Sequence, residues 1–530
     1  MIRLKVLVFV VLAVLAVLAF AATVITVRLC ARLPSLHGRS ESCAFIDTAD
    51  TALGRAIAAR VAAHPGLSGV HALDDGRDAL AARILLARAA ERSIDAQYYI
   101  WHGDTAGTLL FDELRAAAQR GVRVRLLQDD NTTYGLDETL AALDAHPNIE
   151  VRLFNPFAIR WPRWVGYVAD FPRLNRRMHN KSFTVDNQAT IVGGRNVGDE
   201  YFGGGEGAHF VDLDVLSIGP VVQEVSSDFD RYWASASSYP AARILPRVAA
   251  TRLDAVHAAA QGLMQSPAAQ RYVDALQQSP IIARLSESSL PLYGSPVRMV
   301  SDDPAKALGR APREGLLIAR LNRLLERPER HLKLVSGYFV PTARGVDAFT
   351  AMAGRGVRVE VVTNALEATD VPIVHAGYAK HRKALLAAGV ALWELRRDAG
   401  AVPPRDVGGG ARPGSVIGSS GSALHAKTFV IDGARAFIGS FNFDPRSAHL
   451  NTELGFVIAS GELARSMRAR LDATTPRIAY QLRLSGEGKL LWIERRADGS
   501  EMQHDSEPGT TLWDRTVVAL FSILPIEWLL

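Results

Sequence analysis

From about residue 52 onward the chain switches repeatedly between two hydrophobic periods. Residues 79–92 carry apolar side chains at helical spacing, and 93–101 (SIDAQYYIW) read as a strand. Residues 107–120 predict an amphipathic helix, and 122–128 (VRVRLLQ) the next strand. The same unit returns later. Residues 330–339 (RHLKLVSGYF) predict a strand, 343–355 a helix and 356–363 (GVRVEVVT) a strand. The string Arg-Gly-Val-Arg-Val occurs at both 120–124 and 355–359, which points to an internal duplication. Strand–helix–strand units favour a parallel or mixed sheet with helices on its faces, so the expectation is an α/β chain of two related halves.

The ends break this pattern. Val6 to Val27 is an uninterrupted apolar run, preceded by Arg3 and Lys5 and followed by Arg28, Arg32 and Arg39. Its length suits an N-terminal transmembrane helix. A cleaved signal peptide is the rival, because Ala19-Phe20-Ala21 resembles a cleavage site. Residues 240–290, rich in Ala, Gln and Ser, read as a helical connection between the halves. Residues 399–423, crowded with Gly, Pro and Ser, predict a mobile loop. The expected division is an anchor at 1–30, a first half at 50–235, a helical connection at 236–290, a second half at 291–475 and a membrane-proximal extension at 476–530.

Composition adds little beyond excluding disorder: 48% of residues are hydrophobic, 22% are charged, and the net charge is +5. That charge suits an anionic partner without identifying it. Cys30 and Cys43 fit no zinc spacing and no disulfide framework. Lysine is scarce, with eight in all, and two of them stand in the feature that changes the picture most.

That feature is a paired motif. His179-Asn180-Lys181, with Asp186 five residues later, is matched by His425-Ala426-Lys427 and Asp432. Each motif runs on through apolar residues to a Gly-rich stop: Gly193-Gly194-Arg195-Asn196 and Gly439-Ser440-Phe441-Asn442. His179/His425, Lys181/Lys427, Asp186/Asp432 and Asn196/Asn442 are all separated by the same 246 residues. In a strand, positions i and i+2 share a face, so histidine and lysine project together. If the halves meet about a pseudo-two-fold axis, two imidazoles, two ammonium groups and two amides surround one space. That space suits a phosphate diester. Lys181 and Lys427, with Asn196 and Asn442, would hold its oxygens while one imidazole attacks phosphorus and the other protonates the leaving alcohol.

His179, Lys181, Asp186, His425, Lys427 and Asp432 thus form the candidate catalytic set. Within it, Asp186 and Asp432 lie beyond a β-like run and are better placed to fix a turn. Each histidine also needs an acceptor for its second ring nitrogen. Glu453 is the candidate in the second half and Asp212 its counterpart in the first, with Asp214 as the fallback. The extra Gly203–Gly207 patch accounts for their different spacing.

With these motifs in hand, the chain resembles the phospholipase D superfamily. The stretches DAQYYIW, GVRVRLLQDDN, RLNRRMHNKSFTVD, GGRNVGDEYF, SGYFVPT, LHAKTFVIDG and IGSFNFDPRSAHLNTELGFVI are similar to bacterial cardiolipin synthases of the type-C branch. The resemblance implies two pseudo-symmetric phospholipase D-like halves, each a mixed β-sheet flanked by helices. It implies a phosphatidyltransferase that works without metal or other cofactor through a phosphohistidine intermediate. His179 would be the nucleophile and His425 the general acid and then base. The implied partners are phosphatidylglycerol, a donor phospholipid such as phosphatidylethanolamine, and the bilayer of a bacterial inner membrane. No nucleic acid is expected. The rival is a phospholipase D-type phosphodiesterase that hydrolyses phospholipid or nucleic acid.

Three further segments have competing readings. Arg160-Trp161-Pro162-Arg163-Trp164, with Tyr167 and Phe171, has the composition of a membrane-interface contact or of a loop packed on the domain. Arg173, Arg176 and Arg177 could attract an anionic lipid or form ordinary ion pairs. Asp129-Asp130-Asn131 is read as a turn or helix cap rather than a metal site, and 517–530 as a docked or interfacial segment.

Overall fold

The computed structural model describes residues 2–530 except 31, 204–209, 250, 280, 288, 326, 398–422 and 497. Most of the Gly-, Pro- and Ser-rich stretch 399–423, and four of the five residues of the 203–207 patch, therefore lie outside the described residues.

Two mixed sheets carry the fold. Among the described residues the first runs Tyr293–Ser295, Ser68–Leu73, Asp214–Ile218, Ala189–Gly193, Ser182–Val185, Ser93–Tyr98, Arg123–Asp129, Ile149–Phe154, Ser238–Pro240. The second runs Val297–Ser301, Leu454–Ile458, Arg435–Gly439, Lys427–Ile431, His331–Ser336, Arg358–Asn364, Ala391–Leu395, and continues into Ala479–Leu484, Leu490–Arg495 and Glu501–His504. The central part has the same pattern in both. Ser93–Tyr98 pairs parallel with Arg123–Asp129 and antiparallel with the motif strand Ser182–Val185. His331–Ser336 does the same with Arg358–Asn364 and the motif strand Lys427–Ile431. Ser93–Tyr98, His331–Ser336 and the two motif strands are buried along their whole length, and their buried charges are paired, as in Asp95 with Arg125 (2.7 Å) and Lys333 with Asp472 (2.6 Å).

The intervening helices form where the sequence predicts them, at Gly76–Ala89, Thr105–Gln119 and Thr342–Gly354. Asp75 and Asp104 cap the first two through their carboxylates. The segment read as a connection folds into helices Thr251–Met264, Pro267–Gln278 and Ile281–Ser286, which pack on the first half's helices as an outer layer. The halves meet through a shared apolar cluster. Val70, Val192 and Val215 from the first sheet pack with Ile438, Leu454 and Phe456 from the second. Burying such side chains stabilises by about 1.5–3 kcal/mol each, so the two motif strands are held on either side of a firm seam.

Ile2–Cys30 is a helix that lies against Trp164–Leu174. The expected transmembrane helix is nonetheless not established. Among the described residues no helix is long and apolar enough to cross a membrane. The described side chains of this helix run only from Val11 to Thr26, short of the roughly 20 apolar residues a span needs.

Candidate active site

The two histidines reach their carboxylates by crossing from one half to the other. The segment before the first motif strand forms a bridge between Met178 and Thr452, and the His179 N–H donates to the Thr452 carbonyl (2.8 Å). Glu453 follows Thr452, and His179 Nδ1 lies 2.8 Å from Glu453 Oε2. The other side repeats this. Ala423–Leu424 pairs with Phe210–Val211, and the His425 N–H donates to the Val211 carbonyl (2.9 Å). Asp212 comes next, and its Oδ2 lies 2.6 Å from His425 Nδ1. Each imidazole is thus oriented by the opposite half. Asp214, the fallback, instead pairs with Arg83 (2.8 Å) and lies 3.5 Å from Arg195.

Lys181 and Lys427 are buried and donate to the carbonyls of His179 and His425 respectively. The amides differ. Asn196 is committed to protein partners, donating to the Tyr201 hydroxyl (2.9 Å) and accepting from the Ile100 N–H (3.1 Å). The Asn442 Oδ1 is buried without a hydrogen-bond partner among the described residues. Two tyrosines meet the histidines edge-on: Tyr99 against His179 (5.1 Å between centroids) and Tyr201 against His425 (5.2 Å). Tyr338 donates to exposed Asp370 (2.7 Å), whose charge acts on Lys427.

Asp186 and Asp432 perform a matching structural task away from the imidazoles. The Asp186 carboxylate accepts from the N–H groups of Glu91, Arg92 and Ser93 at 2.8–3.0 Å. Asp432 accepts from Glu329, Arg330 and His331 at 2.7–3.0 Å. Both have left-handed backbones, with φ of 52° and 54°, at the turn that ends the motif strand. They pin that strand's far end to the start of its neighbour.

Burial dominates the electrostatics. It lowers Lys181 to about 7, with Lys427 lowering it further and Glu453 opposing. It lowers Lys427 to about 8, opposed by Asp212 and Glu453. It also holds His179 well below the usual histidine value, reinforced by Lys181 and Lys427. His425 falls to about 4 through burial and Lys427, against the pull of Asp212. The carboxylates diverge. Burial pushes Glu453 up to about 7. Burial acts the same way on Asp212, but His425, Lys427 and Arg195 together hold it well below the usual carboxylate range. Burial thus sets two depressed lysines and two imidazoles held below their usual value around one firmly ionised carboxylate, Asp212.

The comparisons agree with this geometry. The family described as "Cardiolipin synthase, PLD-like domain" matches at residues 84–233 and 321–474, one segment in each half. The chain belongs to that family. It is accordingly an enzyme, a phosphatidyltransferase of the phospholipase D superfamily. It is 48% identical to cardiolipin synthase C of Escherichia coli strain K12, over 90% of this chain and 99% of that protein. It is 25% identical to cardiolipin synthase B of the same strain, over 76% of this chain and 79% of that protein. Among solved structures, the phosphatidylserine synthase of Haemophilus influenzae shares the fold, with a TM-score of 0.52 and 14% identity, covering 81% of this chain and 92% of that one.

Within the family's site, the sequence spacing set Glu453 beside His425 and Asp212 beside His179, and the structure exchanges them: Glu453 serves His179 and Asp212 serves His425. No spacing signals this exchange, because a within-half partner would look the same. The tyrosines went unassigned, although Tyr99 and Tyr201 lie in the stretches that carry the resemblance. Ser440, which donates to Glu453 Oε2, was also unassigned. Arg177 is not a lure for lipid: it is buried against Asp129 (2.8 Å). Asp129 also caps Asn131 (2.9 Å), and Asp130 accepts from the Phe157 N–H (2.7 Å), in keeping with the turn reading of that segment. Arg160 and Arg163 are tied to Asp130 and Asp137, whereas Trp161 and Trp164 point outward.

Proposed function

We propose that the chain transfers a phosphatidyl group from a donor phospholipid to phosphatidylglycerol, giving cardiolipin, through a phosphohistidine. The observation that carries this reading is the crossed pair of histidine–carboxylate contacts with a buried lysine beside each histidine. The diester's non-bridging oxygens take the place of the carbonyls as ligands of Lys181 and Lys427. His179 attacks phosphorus through Nε2, and the bond to the headgroup oxygen breaks. His425 gives that oxygen its proton. The acceptor hydroxyl then loses its proton to His425, its oxygen bonds to phosphorus, and the bond to His179 breaks.

The unequal carboxylates support this division of labour. A nucleophile must be neutral, and burial, reinforced by Lys181 and Lys427, holds His179 well below the usual histidine value. An acid must regain a proton once the substrate neutralises the lysines, and the ionised Asp212 beside His425 stabilises that imidazolium. Asn442 is the amide best placed to serve the phosphate, because Asn196 is already engaged. We assign the work to a bacterial inner membrane, with the helix Ile2–Cys30 as the anchor. Exposed apolar side chains such as Leu12, Val17 and Phe20 support that placement.

The deciding assay offers the purified chain labelled phosphatidylglycerol, with and without phosphatidylethanolamine, beside single-stranded DNA. Cardiolipin is the expected product. Phosphatidic acid in its place would make the chain a hydrolase, and DNA cleavage without cardiolipin would overturn the lipid reading.

A further inference from the structure

Four of the eight tryptophans are largely exposed: Trp161 at 78%, Trp164 at 67%, Trp513 at 71% and Trp528 at 58%. They lie on two segments far apart in sequence. Trp161 precedes and Trp164 begins the helix Trp164–Leu174, where Phe171 is also exposed. Trp513 begins the helix Leu512–Ile523, and Trp528 sits in the turn Glu527–Leu529 that follows. The inner face of the C-terminal helix packs through Val518 on Leu366 and Ala376, while Leu520 and Ile523 face solvent at 60% and 79%.

One arginine joins the two segments. Arg446, four residues after Asn442, donates to the carbonyl and side-chain oxygens of Asn175, the C-cap of the first helix (3.0 and 2.6 Å). Its Nε donates to the carbonyl of Leu529 (2.9 Å). Both apolar edges therefore flank the short helix that leaves the second motif. The first helix also reaches the chemistry directly. Tyr167 donates to Asn131 Oδ1 (2.6 Å), Asn131 lies 3.4 Å from the Tyr99 hydroxyl, and Tyr99 packs on His179. Positive charge borders the same region. Arg176 donates to the His449 carbonyl (3.0 Å), and exposed Arg344 acts on the His449 imidazole.

We infer that these two edges form one interfacial rim that seats on the surface of an anionic phospholipid bilayer. Amphipathic aromatics beside cations are suited to the headgroup boundary, where the ring is buried and the charge meets lipid phosphate. The helix Ile2–Cys30 lies against the first edge, so the apolar surface is continuous with the segment assigned as anchor. Seated this way, the rim brings headgroups to the histidines while the acyl chains stay in the bilayer.

The inference rests on the lipid-transferase reading, and its test separates the two. The full chain is reconstituted into phosphatidylglycerol–phosphatidylethanolamine vesicles with brominated acyl chains, and tryptophan quenching is measured. Trp101, Trp233 and Trp492 are buried and Trp393 is partly buried, so quenching should come from the other four. The expected result is strong quenching in the wild type and its loss in Trp161→Phe/Trp164→Phe/Trp513→Phe/Trp528→Phe. A companion Trp161→Ala/Trp164→Ala/Trp528→Ala variant should show a raised KM for vesicle lipid with unchanged turnover of a short-chain monomeric phospholipid. An unquenched wild type that still makes cardiolipin overturns the rim and leaves the function standing. Quenching that persists in the fourfold variant also overturns it. Quenching without any lipid turnover keeps the rim and removes the function.

Discussion

The two histidines sit in the same frame, yet their supports are built from different parts. On one side a glycine faces an aspartate. A Cβ on Gly194 would fall 2.1 Å from Asp212 Oδ1, so the carboxylate occupies the space a side chain would need. On the other side a serine faces a glutamate, and the Ser440 hydroxyl donates to Glu453 Oε2. The backbone supports differ as well. The Asp212 carbonyl is held by buried Arg195 (2.7 Å). Glu453 is gripped at both ends by Asp302, through its N–H (2.9 Å) and its carbonyl (3.0 Å), and Asp302 is paired with Lys306 (2.9 Å). The duplication preserved the geometry at each imidazole and let the charge state of its partner drift apart. One partner is firmly ionised, while the other is pushed up to about 7. Two related halves can thus present the same ring to one phosphorus with different protonic character.

The sharpest way to break this comparison is to remove each ring. His179→Ala should abolish an acid-labile lipid–enzyme adduct, whereas His425→Ala should still form one slowly, with turnover reduced about 10²- to 10⁴-fold. An adduct that survives in the first variant and vanishes in the second would exchange the roles. Next come the carboxylates. Asp212→Asn should cost about 100-fold in kcat and Glu453→Gln about 10-fold, because Asp212 is fully ionised whereas Glu453, pushed up to about 7, carries only part of a charge near neutral pH. Equal losses would mean that the two pairs are electrically alike.

Smaller effects test the local parts. Gly194→Ser should crowd Asp212, costing about 1–3 kcal/mol in stability by overpacking, while Ser440→Gly removes the hydroxyl's bonds to Glu453 and to the Leu454 N–H, each worth about 1 kcal/mol. Thermal melts of both variants decide between them. The smallest effect is a pH slope. Glu453 has its folded value, about 7, above the ordinary 4.5, so the native state binds more protons in that window. Its contribution to stability therefore falls as pH rises from about 4.5 to 7. The Tm of Glu453→Gln relative to wild type should be more favourable at pH 8 than at pH 5. A difference that is flat with pH would place Glu453 among ordinary carboxylates.

Much of this arrangement is legible in the order of residues alone. The two strand–helix–strand units fall within a few residues of where periodicity puts them, because their strands are buried on both faces and their helices on one. The separation of Asp186 and Asp432 from the chemistry also follows from spacing, since seven residues beyond histidine lies past the end of a short strand. What the sequence hid is relational. Asp212 and Glu453 can be nominated as acceptors, but which imidazole each serves depends on the seam between the sheets, and that seam is made of Val192, Ile438 and Phe456 rather than of any motif. Asn196 and Asn442 look equivalent in sequence, and only the neighbouring Tyr201 hydroxyl and Ile100 N–H separate them. The C-terminal strands Ala479–Leu484, Leu490–Arg495 and Glu501–His504, which extend the second sheet, could not be read from the sequence because their alternation is short and broken by turns.

The crossing of the carboxylates also changes what the seam does. Here a slide of one sheet past the other by a single ångström would pull Glu453 from His179 and Asp212 from His425 in the same movement. Both contacts would be lost together, although each half has an apolar cluster of its own. The apolar contact between the sheets thus aligns both histidine–carboxylate contacts, and a cavity-forming change there, such as Ile438→Ala, should loosen both of them besides costing about 2–5 kcal/mol in stability.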